Sequence, residues 1–166
     1  MSSQLFTPVI FEEKVAIKAS ELHLDIDELI LEKVKQKIEG MCNSNGYVHP
    51  GTTVILERSM GEAEHGKFTA EFIYFCKVQC KCFIPFANQI TTTKIIAMNK
   101  SGAYAVIVSP DGSDLEAARI FCPRDHHLGS DLFDKLTVGT VLNIRFVKSR
   151  FQANDPFISI IGVLAG

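Results

Sequence analysis

Length, composition and charge describe a folded protein with a weak charge asymmetry. The chain has 166 residues, 46% hydrophobic and 22% charged, which excludes a disordered protein and allows one ordinary domain or two small ones. No apolar run approaches the roughly 18 residues of a membrane span. Residues 86–166 carry eight basic and seven acidic side chains, whereas residues 1–85 carry nine basic and 12 acidic side chains. Because Lys and Arg supply phosphate affinity, nucleic acid is better sought in the second half.

The beginning of the chain and its cysteine content predict an intracellular protein. The first four residues, Met-Ser-Ser-Gln, lack the basic-then-apolar pattern of a signal peptide. Five cysteines are an odd number, which would leave one unpaired in a secreted protein. A reducing compartment is therefore expected.

One helix is predicted clearly in the first half. Apolar residues recur at helical spacing over residues 26–38. Asp25 precedes them as an N-cap, with Glu28 in capping-box position, and Gly40 follows them as a C-terminal glycine. The pattern predicts a helix with one buried face.

Strands surround this helix in the predicted first domain. Residues 5–17 alternate loosely and predict an early strand or strand pair. Residues 68–84 alternate strictly, with apolar and cysteine side chains on one face and Lys77 and Lys81 on the other. These elements predict a helix-plus-antiparallel-sheet domain over residues 1–85.

The second half predicts a small barrel over residues 86–166. Turn signals separate five short strand candidates, and a helix-like or irregular piece, residues 124–136, follows the third. This is the order of an OB-fold β-barrel, so the chain is predicted to be α+β with a C-terminal five-stranded OB-fold. The strand candidates are Gln89–Met98, Ala103–Val108, Ala117–Cys122, Val141–Phe151 and Pro156–Val163.

Three collinear segments resemble one known family. They are residues 31–42 with Gly46-Tyr47-Val48, then Phe83-Ile84-Pro85-Phe86 with residues 95–104, and finally residues 145–162. In this order and spacing they are similar to the stalk subunit of multisubunit DNA-directed RNA polymerases, which is the seventh subunit of the eukaryotic enzymes and has an archaeal counterpart. Residues 19–24 and 61–66 depart from the family pattern, which fits a divergent viral member or a remote cellular paralogue.

The resemblance implies a non-catalytic subunit without a cofactor. Its tip domain would dock on the polymerase core, and its OB domain would hold nascent single-stranded RNA during transcription. The implied partners are the core subunits, a smaller helical stalk partner and RNA, with no membrane. The implied location is the nucleus for a cellular protein, or the host cytoplasm or virion for a viral one. A free-standing OB-fold RNA-binding or translation-associated protein is the alternative.

Candidate RNA-binding residues combine aromatic and cationic side chains. OB-folds bind single strands by stacking bases on aromatic rings beside cations. Arg119 and Phe121 have the same strand parity and would share a face, although the aromatic residues could equally belong to the barrel core. The candidates are Lys100, Tyr104, Arg119, Phe121, Arg124, Lys148, Arg150 and Phe151.

The candidate docking residues for the polymerase are Asn45, Gly46 and Tyr47. They form a predicted turn with an aromatic residue, a type of side chain that often anchors protein interfaces. The alternative is a surface turn whose Tyr47 packs back on the helix.

A metal-dependent enzyme is the third alternative, built on cysteines and histidines. At the usual strand rise, the backbones of Cys76 and Cys80 lie roughly 13 Å apart and those of Cys80 and Cys82 about 6.6 Å. Tetrahedral zinc needs sulfurs within about 4 Å of each other. We therefore expect buried, structural cysteines, no metal, and His126-His127 on an exposed loop.

Overall fold

The computed structural model describes residues 5–22, 25–63 and 70–165. The chain forms two compact units, the first comprising Met1–Gly40 and Val48–Phe83, and the second Met41–Tyr47 and Ile84–Gly166. The division after Phe83 lies close to the predicted boundary after residue 85. Residues 41–47, by contrast, group with the second unit, because Cys42 exchanges backbone hydrogen bonds with residues 154 and 155.

The elements up to Phe83 are mainly strands around one helix. No helix within the described ranges is long and apolar enough to span a membrane. In chain order the elements are β1 (Thr7–Lys18), α1 (Ile26–Ile38), β2 (Cys42–Asn43), β3 (Gly46–Val48), β4 (Val54–Arg58), β5 (Glu62–Ala63) and β6 (Glu71–Phe83).

Strand β1 is one continuous strand rather than a pair. It runs antiparallel to β6 from Thr7, opposite Cys82, to Lys18, opposite Glu71. Pro8 lies inside β1, which has no second partner strand in the described residues, and proline is tolerated in such an edge strand where its nitrogen faces away from the neighbouring strand. Strands β4 and β5 pair antiparallel with β6.

Helix α1 lies where the sequence predicts it and covers one face of this sheet. The Asp25 side chain accepts a hydrogen bond from the Asp27 N–H at 3.1 Å, and Gly40 has a φ of +71°. The buried face of the helix packs on the alternating face of β6. The residues of this core are Val15, Ile17, Ile30, Val34, Ile38, Val48, Tyr74, Cys76, Val78, Cys80 and Cys82.

A closed five-stranded barrel forms the second unit, as predicted. Its strands are β7 (Ile90–Asn99), β8 (Gly102–Val108), β9 (Asp114–Pro123), β10 (Val141–Arg150) and β11 (Ile158–Leu164). The order around the barrel is β10-β11-β9-β8-β7, with β9 and β11 parallel and β10 pairing with β7 to close it. A 3₁₀ turn (Arg124–His127) and α2 (Asp131–Asp134) follow the third strand. This arrangement is OB-like.

The prediction of an exposed His126-His127 loop is wrong for His127. His126 is exposed, but His127 is buried and stacks on Phe133 at 4.6 Å between ring centroids. Its Nδ1 lies 2.7 Å from the Pro123 carbonyl oxygen, and its Nε2 accepts from the Leu164 N–H at 3.0 Å. This pairing assigns the proton to Nδ1 and ties the 3₁₀ turn to β11.

The cysteines are all free and buried, but the expectation that Cys80 and Cys82 are poorly placed to approach each other is wrong. The sulfurs of Cys80 and Cys82 lie 3.6 Å apart, because two side chains on the same strand face lean towards each other. The hydrogen bond between the thiols, together with burial, raises the pKa of Cys80. Even so, no group of three His, Cys, Asp or Glu side chains with metal-binding geometry occurs in the described residues.

Barrel stability should fall at alkaline pH because of Cys122. Burial raises the pKa of this thiol from 9.0 to about 12. The unfolded chain therefore ionises first, so the thiol's contribution is intact below about pH 9 and is lost as the pH rises towards 12. When the pH is raised from 7 to 10.5, the free energy of unfolding should fall by about 2 kcal/mol less in Cys122→Ala than in the wild type, as measured by urea unfolding. The same pH dependence in both proteins would contradict this.

Candidate nucleic-acid interface

Strand register places two rows of side chains on the outer face of the barrel. Residues paired across neighbouring strands point to the same side, and the intervening Ala105, Ile120 and Ile160 are buried inside. The first row runs across β8, β9, β11 and β10 as Tyr104, Phe121, Ile161 and Lys148, and we call it the apolar row after its first three members. The second row consists of Val106, Arg119, Ser159 and Arg150, and we call it the cationic row after its two arginines.

These two rows line a groove with a volume of about 490 Å³. Five of the eight predicted RNA-binding residues meet there, from three different strands. They are Tyr104, Arg119, Phe121, Lys148 and Arg150. The structure therefore brings together residues that are up to 46 positions apart in the sequence.

An aromatic pair forms one end of the groove. The rings of Tyr104 and Phe121 lie 4.9 Å apart at 38°. Tyr104 is 39% exposed and Phe121 is half-buried, so neither belongs to the barrel core. Such a pair offers a ring face to a flat, apolar ligand surface.

A third aromatic residue of the groove, Phe157, was not predicted from the sequence. The Arg119 guanidinium carbon lies 4.3 Å from the centre of its ring, which is cation–π geometry. Phe157 directly precedes β11 and has the same parity as Ser159 and Ile161, which also line the groove. That parity was the signal that could have identified it.

The charges of the groove are all positive. Arg119, Lys148 and Arg150 line it with exposed side chains. No Asp or Glu is among the lining residues in the part of the chain that the structure describes. An extended polyanion could therefore follow the cationic row without meeting a like charge.

Three of the predicted RNA-binding residues lie outside the groove. Lys100 is exposed in the turn between β7 and β8, and its carbonyl accepts from Arg124 Nε at 3.1 Å. The Arg124 guanidinium lies 5.4 Å from the Phe133 ring centre. Phe151 follows β10 and is half-buried. The structure does not bring these side chains to the two rows.

Of the two interpretations of Tyr47 among the predicted docking residues, the exposed anchor is wrong. Tyr47 is only 5% exposed, Gly46 is buried and Asn45 is half-buried. Burial and the negative charge of Glu116 raise the pKa of Tyr47. The exposed residue of this turn is Ser44.

Comparisons with known proteins leave the assignment at the level of the fold. No protein-family model matches the chain. The curated proteins contain no match either. What is established is an N-terminal antiparallel sheet with a helix, followed by a closed, OB-like five-stranded barrel. The similarity to polymerase stalk subunits stays a prediction.

Proposed function

We propose that the barrel binds single-stranded RNA in the groove between the apolar and cationic rows. The observation that carries the proposal is the tilted aromatic pair Tyr104 and Phe121 beside Arg119, Lys148 and Arg150 on one OB-like face. Unpaired bases stack on aromatic rings while the phosphates contact the cations.

Binding of this kind is salt-sensitive and tolerant of sequence. Three cations neutralise about three phosphates, so the logarithm of the association constant falls with that of salt concentration at a slope of about −2. Stacking accepts every base. Among the described residues no Asp or Glu lines the groove, so no carboxylate there can form hydrogen bonds with a base edge.

The cellular role that we propose is that of a non-catalytic stalk subunit of a DNA-directed RNA polymerase. The order of a helix-bearing sheet followed by an OB-like barrel, together with the three similar segments, supports this role. The helix-bearing sheet and the turn around Ser44 would anchor the chain to the polymerase core, and the barrel would hold the nascent transcript. Neither activity requires a catalytic residue or a cofactor.

Affinity purification of the tagged chain from its native source tests the stalk role. Large polymerase subunits should be recovered with the wild type and lost with Ser44→Arg, which puts a bulky cation on the exposed part of the turn. Ser113→Arg makes the same change in another exposed turn and should retain them. Recovery of ribosomal or other RNA-bound proteins without any part of a polymerase would instead indicate the free-standing OB protein.

A further inference from the structure

A short hairpin from early in the chain is hydrogen-bonded to a loop of the barrel. Residues 41–47 contain β2 and the first two residues of β3, and Cys42 is the point of attachment. The Cys42 N–H donates to the Asp155 carbonyl oxygen at 2.8 Å, and the Asn154 N–H donates to the Cys42 carbonyl oxygen at 2.8 Å. These two bonds lie outside the pairing of the five barrel strands.

The attached loop connects β10 to β11 and carries part of the groove. Arg150 stands immediately before it and Phe157 at its end. Asn154 has a φ of +70°, and the Gln152 N–H donates to Asp155 Oδ2 at 2.7 Å. The hairpin thus holds the loop at Asn154 and Asp155, between the two groove residues.

We infer that the hairpin of residues 41–47 is a positioning element for the groove: through Cys42 it fixes the β10–β11 loop so that Phe157 stacks on Arg119. The inference rests on the proposed function only for the identity of the ligand, because Arg119 and Phe157 stack on each other without RNA. It makes RNA affinity depend on a segment that contributes no side chain to the groove.

The test replaces the hydrogen-bond donor and keeps a matched control. Cys42→Pro removes the N–H that donates to Asp155, whereas Cys42→Ala keeps both backbone groups and removes only the thiol. NMR reports the stacking directly, because the Phe157 ring shifts the Arg119 side-chain protons upfield. That shift should persist in Cys42→Ala and disappear in Cys42→Pro, as it does in the reference variant Phe157→Ala.

RNA affinity supplies the second readout. By fluorescence anisotropy with a ten-nucleotide oligouridylate, Cys42→Pro should bind about 10-fold more weakly, the effect of losing part of one stacking contact. Cys42→Ala should bind within about 2-fold of the wild type, since it keeps the stacking platform intact. An unchanged Arg119 shift in folded Cys42→Pro would overturn the inference, whether or not RNA binds.

Amide exchange of the wild type keeps the inference testable should Cys42→Pro not fold. The N–H groups of Cys42 and Asn154 should both exchange about 100-fold or more slowly than in an open chain. Fast exchange at either would overturn the positioning role. If the wild type shows slow exchange and the Arg119 shift but binds no oligouridylate, the hairpin's role stands and the proposed RNA-binding function fails.

Discussion

Replacing Arg119 and Phe157 together with alanine should weaken the binding of a single-stranded oligouridylate by about 100-fold, since each stacking contact contributes roughly 1–3 kcal/mol. The two side chains lie 4.3 Å apart, guanidinium carbon to ring centre, and form one surface at the centre of the cationic row. Because each side chain holds the other in place, either single substitution should produce most of the loss, and the two effects should not add.

Fluorescence anisotropy at several salt concentrations measures this effect. Lys135→Ala removes an exposed cation that does not line the groove and serves as the control. It should bind RNA within about 2-fold of the wild-type affinity, since a single exposed charge outside the groove contributes little. In the double variant the slope of the logarithm of the association constant against that of salt concentration should also be shallower by about 0.7, because the phosphate contact of Arg119 is lost. Wild-type affinity in a folded double variant would contradict the position of the site.

Gly102→Ala should destabilise the barrel by roughly 3 kcal/mol or more, a large fraction of the roughly 5–15 kcal/mol by which an ordinary protein is stable. Gly102 begins β8 opposite Pro123, and a Cβ added there would overlap the carbonyl oxygen of Cys122. It would also meet the Phe121 ring at 3.0 Å. Because the nearest atom belongs to backbone, neither partner can move without breaking the pairing of β8 and β9.

Thermal unfolding followed by circular dichroism checks this result against Gly112→Ala. Gly112 has a φ of +88° and nothing within 4 Å of an added Cβ, so its substitution should cost only about 1 kcal/mol of left-handed strain. Similar unfolding temperatures for the two variants would show that the close approach at Gly102 is unimportant.

The parts of the fold that local pattern determines could be predicted from the sequence. Helix α1 begins after Asp25 and ends before Gly40 because its cap, its apolar period and its C-terminal glycine all agree. Strand β6 alternates as predicted because one of its faces is buried under that helix. Parity alone also placed Arg119 and Phe121 on the same outer face, since a strand has a period of two.

Contacts between distant segments could not be predicted in this way. Tyr47 follows a polar turn and looks exposed, but its burial depends on a hairpin that groups with the barrel. The 3.6 Å between the sulfurs of Cys80 and Cys82 depends on side-chain rotamers, which backbone rise does not fix. The stacking of Phe157 on Arg119 depends on the parallel pairing of β9 and β11, which no turn signal specifies.

Photo-cross-linking with mapping of the attached peptides tests whether single-stranded RNA binds the proposed face of the barrel. The full chain would be irradiated with a 4-thiouridine oligonucleotide, and the modified residues identified by mass spectrometry. We expect attachment at Tyr104, Phe121 or Phe157, the aromatic residues of the groove and its margin. Attachment confined to residues 7–83, or none at concentrations that saturate binding, would contradict the claim that this face of the barrel holds single-stranded RNA.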